Sequence, residues 1–186
     1  AERLDQWTTV LEAYEHATQT ADRPVVFHRR LATWYAKVGD MAAEVYHRKH
    51  IIAHEPTDSA TADSLTAYYE TKQDWEALAA LLTTRIKHAR GEQYNVLAVY
   101  AASILSDHLH RHAAALDLIG PLYQSSPTPQ LREKIEQYAQ LGELWPRLVP
   151  VYQKALESGK WNEHAEKEIH VRLASLLVHE LSDSAQ

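Results

Sequence analysis

Arg30-Leu31-Ala32-Thr33-Trp34-Tyr35-Ala36-Lys37-Val38-Gly39-Asp40-Met41 reads as one helix, a turn and the start of a second helix, and its landmarks return 34 residues later. Leu31 is answered by Leu65, Tyr35 by Tyr69, Asp40 by Asp74 and Ala43 by Ala77. Trp7, Met41 and Trp75 hold the same interval twice. So many coincidences at one spacing indicate an internal repeat, and a period near 34 is that of a two-helix unit. Further along, the rhythm loosens. Arg111-His112-Ala113-Ala114-Ala115-Leu116 stands where Asp74-Trp75-Glu76-Ala77-Leu78 stood, Gly142-Glu143-Leu144 brings the turn back, and Arg30-Leu31-Ala32 recurs as Arg172-Leu173-Ala174.

The local pattern is helical throughout. Trp75, Leu78, Ala79, Leu82, Ile86 and Ala89 fall at steps of three and four, and so do Leu173, Leu176, Leu177 and Leu181, with Val178 widening that face. Strand and hairpin signals are missing. Gly39, Gly91, Gly142 and Gly159 lie just beyond helical runs, where a left-handed cap residue is wanted. Asp58 or Thr57, and Ser126 or Thr128, are in place to cap helices. These signals predict ten helices, over 4–19, 24–38, 41–54, 58–71, 74–89, 92–108, 111–124, 128–140, 144–157 and 161–181. Pro146 suits a first helical turn, Pro121 should kink or shorten its helix, and Pro150 should bend its own. The Ser125–Pro129 cluster reads as a turn, so residues 1–186 are expected to form a single all-α domain.

Composition narrows the function classes. The chain has 186 residues, 24% charged and 45% hydrophobic, with no cysteine. That excludes disulfides, thiolate metal sites and a cysteine nucleophile. It leaves the compartment open between cytoplasm and periplasm, with the cytoplasm preferred. No apolar run is long enough to span a bilayer. The net charge of −6 argues against nucleic acid as a partner.

The phrases Arg-Leu-Ala-x-x-Tyr-x-x-x-Gly-Asp at 30–40 and Asp-Trp-Glu-Ala-Leu-Ala-Ala-Leu-Leu at 74–82 carry a family likeness. The chain resembles the tetratricopeptide repeat (TPR) family, and within it the divergent arrays of long bacterial repeat proteins. The likeness is strongest over 24–90 and 161–183 and looser over 92–145. The resemblance implies a right-handed α-solenoid of about five antiparallel helix pairs. Leu31, Ala32 and Tyr35 match the family's large–small–aromatic set. Leu65, Thr66 and Tyr69, and Leu173, Ala174 and Leu177, match it with substitutions. Pro56 and Pro127 match the proline that ends a second helix. Glu44 stands where a small residue belongs, so irregular repeat angles are expected. The chain opens on what looks like a second helix led by Trp7 and closes on a first helix without its mate. The array is therefore expected to continue into further repeats, to self-associate or to dock a partner at its ends.

Twelve histidines invite a search for metal ligands. His47, His50 and His54 share one helical face, and His108, His110 and His112 alternate around a turn. Neither set has a carboxylate at a recognisable ligand spacing, and solvated surface histidine is the reading adopted for both. No Gly-x-Ser-x-Gly elbow and no glycine-rich phosphate loop occurs. No cofactor is expected. Trp7 and Trp75 read as wedges between helices, with Trp75→Ala costing about 3–5 kcal/mol.

The resemblance also implies that first helices line a concave face. That face would carry Arg29, Thr33 and Lys37, then Asp63, Ala67 and Glu70, then Val99, Ser103 and Ser106. Arg132, Glu136 and Gln140 would follow, and then Val171, Ser175 and His179. The lysine–asparagine clamp that some family members close on a peptide carboxylate is absent, since Arg29, Thr33, Asp63 and Ala67 hold its positions. The expected function is a non-enzymatic scaffold that binds a protein or peptide. The alternative is a regulatory or substrate-positioning domain of a larger enzyme or sensor.

Overall fold

The computed structural model describes the backbone of residues 2–159 and 163–180, and the side chains of 9–159 and 163–178. Among the described residues every regular element is a helix. They are α1 (Glu2–Thr20), α2 (Pro24–Val38), α3 (Met41–His54), α4 (Ser59–Lys72), α5 (Trp75–His88), α6 (Gly91–Ser103), α7 (His112–Ser125), α8 (Pro129–Leu141), α9 (Trp145–Glu157) and α10 (Glu163–Ser175). α6 runs on into a π turn over Ile104–His108, and α10 into another over Leu176–Glu180. Among the described residues no helix is long and apolar enough to cross a membrane. The chain is all-α, as its periodicity requires.

The helices fall into two compact units, Ala1–Ala89 and Arg90–Gln186. In the first, α2 packs on α1 and α3, and α4 packs on α3 and α5. Its core includes Leu31, Ile51, Ala62, Leu65, Leu78 and Leu82, each at most 2% exposed. In the second, α7 sits against α6, α8 and α9, and α10 lies on α9. Ala98, Leu116, Ile119, Ile135, Tyr138, Leu148 and Tyr152 form its core.

One turn joins these helices again and again. Gly39, Gln73, His110 and Glu143 all have positive φ, between 53° and 80°. The residue after each one begins the next helix as its N-cap: Asp40, Asp74, Arg111 and Leu144. The N–H of that residue closes back on the preceding helix, from Asp40 to the Tyr35 carbonyl at 3.1 Å, Asp74 to Tyr69 at 2.9 Å and Leu144 to Ala139 at 2.7 Å. Asp40 and Asp74 then accept from the N–H of Ala43 and Ala77 at 3.0 and 3.1 Å, so the shared aspartates are working caps. At the turn through His110 the bond runs from Arg111 to Leu105, one residue further than in the others. The π turn over Ile104–His108 takes up that extra residue, which accounts for part of the stretched spacing there.

Several local expectations are corrected. Gly142 is not left-handed (φ −102°), and Glu143 takes that role one residue later. Gly91 is left-handed (φ 57°) as expected, but it stands at the first position of α6, two residues past Ala89, the C-cap of α5. α7 continues through Pro121 to Ser125, so the proline does not shorten it. Pro121 faces solvent, where water can serve the Asp117 carbonyl that the ring leaves without its helical partner. On α5 the buried position is Arg85, with Ile86 only half-buried, and Trp75 is likewise half-buried rather than a fully inserted wedge. On the last helix the buried apolar residues are Ile169 and Leu176, with Leu173 partly covered. Ala174 is exposed, as are Leu177 (48%) and Val178 (59%), so the large–small set expected at 173–177 does not pack. Leu181 and Trp161 lie outside the described residues, as does the side chain of Trp7.

Candidate functional site

The expected binding face is carried in the first unit by α2 and α4. Arg29, Thr33 and Lys37 on α2 are all exposed, as are Asp63, Ala67 and Glu70 on α4. Arg29 is held, its guanidinium donating to Glu55 at 2.6 Å and meeting Asp58 at 2.5 Å. The Asp58 hydrogen bond raises the Arg29 pKa above its ordinary value. The Thr61 backbone N–H, helped by Arg29, holds the Asp58 carboxyl below the usual carboxylate range. Asp58 is at once the cap of α4 and the anchor of α2. Thr33 donates its hydroxyl to the Arg29 carbonyl at 2.9 Å. Asp63 is 76% exposed and sits 4.0 Å from buried Arg85.

In the second unit, the α8 positions are drawn into contacts with α9 and α10. Arg132 pairs with Glu168. Glu136 accepts the Tyr152 hydroxyl at 2.6 Å and lies 3.4 Å from Nε of Arg172. Burial, reinforced by the Glu136 carboxylate, raises the Tyr152 pKa, and burial pushes Tyr123 up to about 12. Both phenols therefore stay protonated as donors. A cleft of about 330 Å³ opens beside Tyr123, Thr128, Arg132, His164, Glu168 and Ile169, but its cation and its carboxylate already neutralise each other. Ser103 receives the Lys134 ammonium at 3.3 Å and donates to the Val99 carbonyl, while Ser106 is buried and meets Nδ1 of His112 at 3.0 Å. Gln140, Val171 and Ser175 are exposed, and the side chain of His179 lies outside the described residues.

The most organised polar cluster includes residues that the sequence reading did not select. His28 of α2 is 4% exposed and His47 of α3 is 1% exposed, which overturns the reading of His47 as a solvated histidine. Their Nδ1 atoms lie 2.9 Å apart. Nε2 of His47 is 3.2 Å from Oε1 of Glu15 on α1, and the Tyr35 hydroxyl donates to the same oxygen at 3.1 Å. His28 stacks on His50 with ring centres 4.6 Å apart, and Tyr35 stacks on His47 at 5.4 Å. Burial, with the neighbouring imidazoles adding to it, lowers the His28 pKa to about 4. Burial lowers that of His47 too, against the opposing pull of Glu15. One signal was available in the sequence: His28 stands three residues before Leu31 and four before Ala32, on the buried face of α2.

The arrangement favours the neutral form of both imidazoles, and at 4% and 1% exposure His28 and His47 are sealed from a substrate. Among the described residues, no group of three or more histidine, aspartate or glutamate side chains is placed to hold a metal ion. Comparison with protein-family models, with curated proteins and with solved structures finds no match to this chain.

Proposed function

We propose that the chain is a non-enzymatic helical-repeat scaffold of the TPR type, with antiparallel helix pairs stacked as in a right-handed α-solenoid. It would bind a protein or peptide on the face presented by the first helix of each pair. The observation that carries this reading is the recurrence of one left-handed turn, at residues 39, 73, 110 and 143, each handing the chain to a new helix. A module repeated by the same turn is the element from which such arrays are built. Two further features support a binding role. Lys37, Asp63 and Glu70 give the α2 and α4 positions an exposed, mixed charge. Val38, at 55% exposure, supplies apolar surface next to Lys37. Exposed mixed charge beside apolar surface is the character that suits an extended or helical peptide.

The test is titration of an immobilised peptide library, first with the native chain and then with Lys37→Glu and Glu70→Lys variants. Arg29 is a poor choice for reversal because it anchors α2 to Glu55 and Asp58. Selected peptides should bind the variants at least about tenfold more weakly, a loss of about 1.4 kcal/mol. Equal binding by native chain and variants would remove the α2–α4 face from the proposal.

A further inference from the structure

We infer that the interface of α1, α2 and α3 is an acid-sensitive clasp: a neutral His28–His47 pair tied to Glu15 holds it closed near neutral pH, and proton uptake by the pair loosens it. The hydrogen-bond bookkeeping leads there. Glu15 Oε1 accepts from the Tyr35 hydroxyl and from His47, so His47 carries its proton on Nε2. Nδ1 of His47 is then an acceptor, and His28 must donate to it from its own Nδ1 across 2.9 Å. Each proton in the chain has one place.

Added protons do not fit. The first can enter only at Nε2 of His28, where it creates a positive charge on a ring 4% exposed and stacked face to face on His50. The second must enter at Nδ1 of His47. Two N–H groups would then point at each other across 2.9 Å, and the rings must part. The groups acting on the pair come from all three helices: Glu15 from α1, Tyr35 from α2, and Tyr46, His50 and His54 from α3. Glu15 favours the charged form and the other two histidines oppose it. Among the described residues, α4, which also packs on α3, adds no charged group to this set.

The direction of the effect follows from linkage. Both imidazoles titrate lower in the fold than in the unfolded chain, where they protonate near 6.5. Below that pH the unfolded chain binds more protons, so stability is full above about 6.5 and is lost as pH falls toward the folded value, about 4 for His28.

The experiment follows the ring nitrogens of ¹⁵N-histidine-labelled full chain by NMR from about pH 8 to 4. Melting curves at about pH 7.5 and 5 are recorded beside it for the native chain and His28→Gln. The two buried rings should titrate together, below the ordinary histidine range. The native midpoint should fall by about 5 °C or more between the two pH values, and His28→Gln should lose at least half of that fall. Two independent titrations near 6.5, or an acid loss of equal size in the variant, would overturn the inference. Should His28→Gln not fold, the titration of the native chain decides alone.

Discussion

The two units solve the same packing problem with different interiors. In Ala1–Ala89, a histidine pair and the Arg85 guanidinium are buried among the leucines and isoleucines of α2 to α5. In Arg90–Gln186, Ser106 is the buried polar side chain among the described residues, and the large core members Tyr123, Tyr138 and Tyr152 are phenols that stay neutral. A buried phenol keeps its proton over the physiological range. An imidazole at the same depth is one proton away from being a buried charge. The first unit should therefore respond to acid, and the second should depend mainly on the completeness of its packing.

Substitutions can break or sharpen that contrast. The largest effect is expected in the second unit. Leu148 is fully buried, and Leu148→Ala should cost about 2–5 kcal/mol in urea denaturation, with the same loss at neutral and mildly acid pH. Tyr152→Phe removes a donor from the Glu136 carboxylate and should cost about 1–2 kcal/mol by the same measurement. Gly39→Ala should cost about 1 kcal/mol, because φ of +80° strains any Cβ-bearing residue although the space around it is open. The double change His28→Leu, His47→Leu should alter stability at neutral pH by less than about 1 kcal/mol, since both members of the buried polar pair go together. It should also flatten the acid response of the first unit, and a loss as large as that of Leu148→Ala would mean that the pair is a packing element and not a clasp. The smallest effect is a gain. Gln73 holds the left-handed position that glycine holds at residue 39, and Gln73→Gly should stabilise by a few tenths of a kcal/mol, read as a small rise in melting midpoint.

How much of this was legible depended on whether the determining interaction was local. The bounds of α2 and α3 follow directly from Pro24, Gly39, Asp40 and the apolar spacing, because caps and turns act within a few residues. Of the paired cap candidates, Asp58 and Thr128 cap, and Asp74, read as the first residue of its helix, is the N-cap instead. The turn at His110 was visible only as an irregular interval, since whether an extra residue becomes a loop or a π turn is settled by packing around it. Glu143 was passed over for Gly142 because glycine is the usual left-handed residue. At Gly142, however, a Cβ would lie 2.8 Å from the Leu144 side chain, so that glycine meets a need for room rather than for positive φ. Arg85 was hidden because a charged residue beside Ile86 is assigned to solvent by type. Of the candidate face, Lys37, Asp63 and Glu70 lie on the surface. What α10 does to Arg132 and Glu136 could not be read from either helix alone. The His28–His47 contact joins residues 19 apart on two helices, and no spacing within one helix announces it.

The sharpest single test of the contrast is residue-resolved amide hydrogen exchange of the whole chain at about pH 7.5 and 5, corrected for intrinsic exchange rates. Amides of α2 and α3 should lose protection in acid while those of α7 and α9 keep theirs. Equal loss in both units, or earlier loss in α7 and α9, would contradict it.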